Sequence, residues 1–401
     1  YEPVRVLRGR FSRSTSGLAL RRGLVVTQFA LSVVLVAGAF VVQEQLAFAR
    51  QGALGFDREH VVVLPLRPDA GIRAAERPFK AAVLQSPHVE HATLTDQYPA
   101  GSGSTDSVII PTGKSEEEGV HVQFYLSDYD LLPTLGMELA AGRGFDPALP
   151  TDSAAFLVNE TAARMAGLTD LETASLDLLD GPAEAIERQP RRVIGIVEDF
   201  HFQSFREAIQ PLVIRLPDDP AFPYDYLLAR VRPGALEPAL ADLEAAWSAF
   251  SSGTPSAPSF LDAEFDHLYR QEARMAEAFG WFTGLAVLIA CLGLLGLSTY
   301  AAEQRRKEIG VRKVLGATAP QIVRLLAWDF ARPVLLAVVL AVPVAWLVAD
   351  RWLSAFAYRI DLGPVPFVAA GAAALAVALF TVGVQTVRAA SADPVKALHS
   401  E

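Results

Sequence analysis

The stretch EQRRKEIGVRKVLGATAPQ, residues 303–321, is basic and lies between two long apolar runs. No charged residue occurs in the 25 positions from Ala278 to Ala302. At about 1.5 Å of rise per residue, that length exceeds a bilayer core of roughly 30 Å. A second apolar stretch, Leu325 to Val348, follows. So short a basic loop between two spans belongs on the cytoplasmic side. On a helical wheel Val311, Val314 and Leu315 form one stripe, while Arg305, Arg306, Glu308, Arg312 and Lys313 sweep the other side. Ile309 falls inside the charged sweep, where solvation alone would not place it. Gly316 reads as a C-cap, and Pro320 suits the first turn of the next helix. Two readings stay open on this pattern. The helix either lies on anionic lipid or docks in a groove of another protein.

Charge divides the rest of the chain. Of its 401 residues 51% are hydrophobic, and the net charge is −10. Residues 51–270 contain 16 Lys/Arg and 34 Asp/Glu, and the remainder contains 19 and 11. An acidic centre with basic flanks argues against nucleic acid as a partner. It fits a water-exposed domain on one side of a membrane and basic edges on the other. Residues 1–23 carry six arginines against one acid, and Leu24 to Val42 is then uncharged, a first span. A signal peptide competes, since Ala47-Phe48-Ala49 resembles a cleavage site, but the apolar core exceeds the usual 7–15 residues or so. The polar residues 43–51 continue the helix beyond the membrane. A fourth span lies within Leu362 to Val387. With the N-terminal arginines and the 303–324 loop both inside, the acidic loop lies outside and both termini are cytoplasmic. The single cysteine, Cys291, sits mid-span, so no intrachain disulfide can form.

Residues 51–270 read as an α/β domain. Strands are predicted at 60–66, 89–95, 226–231 and about 259–261, with helices at 71–85 and 236–250. Two βαβ-like units flanking an insertion predict a split ferredoxin-like subdomain, about 55–104 and 223–268. The insertion, about 105–222, is expected to be β-rich, with strands at 120–126 and 192–197 and a short helix near 159–165. Gly280 and Gly284 form a G-x-x-x-G pair that lets the second span pack closely against another helix.

No pattern for catalysis emerges. Gly113-Lys114-Ser115 lacks the upstream glycine of a phosphate loop, and three glutamates follow it. His88 and His91 have no third ligand in view. Asp199-Phe200-His201-Phe202 offers an acid and a histidine without a nucleophile elbow, so a solvated loop or structural hydrogen bonding is the better reading. No cofactor or metal is expected in this chain.

EQRRKEIGVRKVLGA resembles the signature between the second and third spans of the MacB/FtsX-like family of ABC transporter permeases. Asp393-Pro-Val-Lys-Ala-Leu398 resembles that family's ending, and 135–145 and 193–212 resemble its periplasmic domain. The resemblance implies four transmembrane helices plus a MacB-like periplasmic α/β (α+β) domain, in a bacterial inner membrane. It implies a coupling helix at 303–316 in an FtsX-like part 271–401, with spans at about 278–302, 325–348 and 364–387 after a first at 24–50. Arg305, Arg306, Lys307, Glu308, Ile309, Val311, Arg312, Lys313, Leu315 and Gly316 would then meet an ABC ATPase subunit that binds ATP and Mg. Residues 1–9 echo 393–400, so 1–23 is expected to be a linker from a preceding permease half. A second half (tandem or homodimeric), a periplasmic adaptor and the lipid bilayer are the implied partners. Efflux or lipoprotein-type export by mechanotransmission is the implied function. The alternative is an FtsX-like regulator of a cell-envelope process such as cell-wall hydrolase activation, or a membrane-anchored sensor.

Overall fold

The computed structural model describes residues 15–52, 54–101, 106–179, 189–219, 221–304, 308, 312, 315 and 317–391. Two compact units emerge, one of 1–49 with 271–401 and one of 50–270.

The first unit is helical. Among the described residues α1 (Thr15–Gln51) comes first, and three long helices come after the second unit. Among the described residues, four segments are long and apolar enough to cross a membrane: Gly23–Ala49, Glu272–Tyr300, Ala327–Leu353 and Val365–Val384. Their shared core holds Phe29, Val33 and Val41 beside a ladder of alanines, Ala337, Ala341, Ala345 and Ala349, that faces Ala370, Ala374 and Ala378. Small residues every fourth position let two helix backbones approach. A Cβ on Gly371 would come within 2.9 Å of Val338. This alanine seam was not read from the sequence, although A-x-x-x-A repeats spell it out. Gln45, 1% exposed, donates to the Tyr358 carbonyl and accepts from the Ile360 amide, both at 3.0 Å. Its amide pins the loop between the last two helices.

The second unit contains two sheets. β1 (Val61–Pro65), β2 (Val89–Thr95), β10 (Tyr226–Val231) and β11 (Ser259–Phe260) make a four-stranded sheet in the order β11-β1-β10-β2, with every neighbouring pair antiparallel. Numbered along the chain, that order is 4-1-3-2, the ferredoxin-like arrangement. α2 (Ala70–Ala74), α3 (Glu76–Val83) and α6 (Leu236–Phe250) accompany it, and Phe79 meets Trp247 edge-on at 5.8 Å in its core. The sequence predicts one helix over 71–85, but the chain breaks at Ala75 (φ −125°). Pro78 explains this: it lacks an N–H, and its ring would clash with the carbonyl four residues back. Asp69, fully buried, caps α2 through the Ile72 amide and also accepts from Ser251, Ser252 and Thr254. Burial alone would raise its pKa, but those hydrogen bonds hold it well below the carboxylate range.

The inserted sheet comprises β3 (Asp106–Pro111), β4 (Val120–Leu126), β5 (Leu139–Gly142), β6 (Ala155–Asn159), β7 (Ser175–Leu179), β8 (Gln189–Val197) and β9 (Leu212–Arg215). Its order is β5-β8-β6-β9-β4-β3-β7, and β7 also pairs with β8. That last pairing closes six strands on themselves, which removes their open edges. Short α4 (Leu131–Leu135) and α5 (Glu160–Met165) punctuate it.

Lys80 on α3 bridges Asp128 and Asp130, the latter at 2.6 Å, in the loop after β4. Asp128 also accepts from Thr93 and from the Leu94 amide. The bridge therefore ties the ferredoxin-like sheet to the insertion. Expressed alone, residues 52–270 are expected to melt cooperatively, and Lys80→Met to cost about 1–3 kcal/mol by stranding the largely covered Asp128. Denaturant unfolding of both forms checks this, and equal midpoints would contradict it.

Candidate coupling segment and aromatic hub

Between the second span and the third, Glu308 and Arg312 are helical and pair at 2.8 Å, one turn apart. Leu315 is 80% exposed. The Ala317 amide donates to the Arg312 carbonyl at 2.9 Å, the six-to-one bond that closes a helix ending near 315. The next helix, α9 (Ala319–Leu353), begins at once, with Thr318 donating its amide to the Gln321 side chain at 3.0 Å. Between the two spans, then, lies a charged turn of helix carrying an uncovered leucine. Arg305, Arg306, Lys307, Ile309, Val311, Lys313 and Gly316 lie outside the described residues. On α8 (Arg270–Gln304), a Cβ at Gly280 or Gly284 would meet nothing within 4 Å, so that pair packs against no described part of this chain.

The stretch Asp199-Phe200-His201-Phe202 has a structural role in the second unit. Asp199 accepts from the Thr161 amide at 2.8 Å and its hydroxyl at 2.7 Å. His201 donates its amide to the Leu54 carbonyl at 2.8 Å and stacks on Phe205 with centroids 4.1 Å apart. Burial lowers the His201 pKa, against the pull of Asp199. Phe56 meets Phe200 edge-on at 6.2 Å and Phe265 at 5.8 Å. The Phe205 amide donates to the Tyr269 hydroxyl at 3.0 Å. These contacts knot three segments: 54–56 after α1, the 199–205 loop, and the stretch from α7 (Leu261–Leu268) to Tyr269 before α8. Gly55 (φ +78°) is needed there, since a Cβ would lie 2.6 Å from the Asp199 carbonyl. The repeated aromatics at 200, 202 and 205, with Phe56, Phe265 and Tyr269, were the missed signal.

Residues 280–394 match the family model described as FtsX-like permease C-terminal. That segment of the chain is FtsX-like. The resemblance to the MacB/FtsX-like family is borne out over that segment, and among the described residues the chain has four membrane-length helices and an α/β domain containing a β-rich insertion. The chain is also similar to a solved domain of a permease protein from Porphyromonas gingivalis, at 21% identity and a TM-score of 0.35 over 50% of this chain and 90% of that one. A second likeness is to the extracellular domain of the noncanonic ABC-type transporter YknZ from Gram-positive bacteria, at 10% identity and a TM-score of 0.35, covering 50% and 98%. No curated protein matches the chain.

Other sequence candidates also fall into place. Gly113-Lys114-Ser115 forms a turn in which the Ser115 amide donates to Glu118 and Lys114 pairs with the same carboxylate at 3.3 Å. A carboxylate thus occupies the place a phosphate would need. Among the described residues no group of three or more His, Cys, Asp or Glu gathers to hold a metal.

Asp96, after β2, accepts from the Leu126 amide at 2.8 Å. Burial, aided by Asp225, pushes its pKa from 3.8 up to about 7. Between those values the folded domain holds a proton that the unfolded chain releases, so stability falls as pH rises through the window. The loss is no more than about 4 kcal/mol. His201 opposes it, since its lowered pKa favours the fold at higher pH. Asp96→Asn is expected to remove the Asp96 share and to be the more stable form at pH 8. Identical pH slopes in the two proteins would contradict this.

Proposed function

We propose that the permease relays ATP-driven movement from a separate ABC ATPase to its large domain. The observation that carries this reading is the turn of helix between the second and third spans, with Glu308 paired to Arg312 and Leu315 uncovered. Lipid alone needs no such isolated leucine beside an ion pair, whereas a protein groove does. Residues 305–316 form the proposed docking surface, with Ile309, Val311 and Leu315 as apolar anchors and Gly316 as the cap. ATP and Mg belong to the partner, and the permease itself has no catalytic role.

The relay runs through the first and second spans to the aromatic hub, where both chain segments of the large domain are tied to one loop. Gly280 and Gly284 on α8 offer close packing for a second permease half, tandem or homodimeric. A periplasmic adaptor fits the same assembly. The charge division supports a large domain outside the inner membrane and both termini in the cytoplasm. Transport by mechanotransmission follows, without a wide pore through these four helices.

The relay needs the docking helix and the large domain on opposite sides of the membrane. Cysteines placed at Ser153 and Ser252 are expected to react with an impermeant reagent from outside, and one at Ser391 only after permeabilisation. External labelling of Ser391 would overturn the arrangement.

A further inference from the structure

A half-open groove of about 580 Å³ runs between α9 and α10 (Val365–Ser391). Leu335, Leu375 and Leu379 form its apolar part, and Gln321 and Arg324 stand at one end, in the first two turns of α9. Trp328 lies between, 53% exposed, with the Arg332 guanidinium 5.6 Å from its ring centre. Arg324, Trp328 and Arg332 share one helix face at four-residue spacing. Arg324 is exposed and pairs with no carboxylate among the described residues. It also continues the basic stretch 303–324, which holds six Lys/Arg against two glutamates.

We propose that this groove holds an acyl chain of an anionic phospholipid whose phosphate sits on Arg324. The walls decide the class of ligand. They are helix side chains, and the backbone behind them is satisfied within its own helix, so nothing there would pair a peptide's amides. An acyl chain needs no such partner. The single polar end, a cation beside an indole, has the chemistry of the headgroup level of a bilayer. A second cation at Arg332 and the neighbouring basic stretch select a net-negative headgroup over a zwitterionic one. The inference needs only that α9 and α10 cross a membrane, so it stands or falls separately from ATPase docking.

The test uses the full chain in phosphatidylcholine vesicles carrying matched fractions of brominated phosphatidylglycerol or brominated phosphatidylcholine. Bromine quenches an indole on contact, and subtracting the signal of Trp328→Phe isolates Trp328. Quenching by phosphatidylglycerol is expected to be about fivefold stronger, the preference one guanidinium supplies at a membrane surface. Arg324→Gln is expected to erase the preference and Arg324→Lys to keep most of it. Equal quenching by the two lipids in the wild type overturns the proposal, as does a preference that survives Arg324→Gln. Displacement of the lipid by inorganic phosphate also overturns it, since that marks a soluble-anion site.

Discussion

Phe200→Ala is expected to destabilise the large domain by about 3–5 kcal/mol, because its ring is wholly buried and little can collapse into its place. For a domain of this size that corresponds to a melting temperature lower by roughly 10 °C. The ring touches Phe56 from the segment after α1 and Phe202 from its own loop, while Phe265 reaches Phe56 from α7. A cavity at Phe200 therefore loosens both chain segments of the domain at once. Tyr269→Phe is a milder probe, removing only the hydroxyl that accepts from the Phe205 amide, at about 1–3 kcal/mol. Thermal unfolding of residues 52–270 measures both. A loss under about 1 kcal/mol for Phe200→Ala would show that the hub is not part of the cooperative core.

Ile309→Asp has the larger functional effect. If residues 303–316 only lie on lipid, their basic charges act additively and Ile309 accepts a polar replacement. If they fill an ATPase groove, loss of an apolar anchor costs about 2 kcal/mol or more of association, roughly a thirtyfold weaker complex. Changing Glu308 or Arg312 alone would strand its partner at the contact and cost about 1–3 kcal/mol. Leu315→Asp should resemble Ile309→Asp, since Leu315 is largely exposed. Gly316→Val is expected to act likewise, because a β-branched residue fits poorly at a left-handed cap. Titration of the ATPase subunit onto the reconstituted permease measures each change. Unaltered affinity in Ile309→Asp would contradict docking.

The sequence carried the outline of this fold where one physical signal dominated. Uncharged runs such as 278–302 mark helices because lipid tolerates little else. β2 and β10 were readable at 89–95 and 226–231 because β-branched and apolar residues crowd there between turn residues. β5, β6, β7 and β9 were missed. They are four or five residues long, and apart from the β7–β8 pairing their partners lie far away in the chain, so no local pattern announces them. β6 is buried on both faces and shows no alternation at all. The hub escaped for a related reason, since Phe56, Phe200 and Tyr269 meet only after the chain has folded. The basic segment 303–316 was legible as a motif because its charge and its place between two spans are both local.

The central claim, that the basic segment couples a partner ATPase to transport, is tested most directly by ATP turnover of the reconstituted complex. Wild type and Ile309→Asp would be compared at matched expression, with membrane insertion and large-domain folding verified for both. The account predicts that wild type stimulates turnover and that Ile309→Asp abolishes both the stimulation and transport. Unchanged transport-coupled turnover in Ile309→Asp would contradict the account and return the segment to the lipid surface.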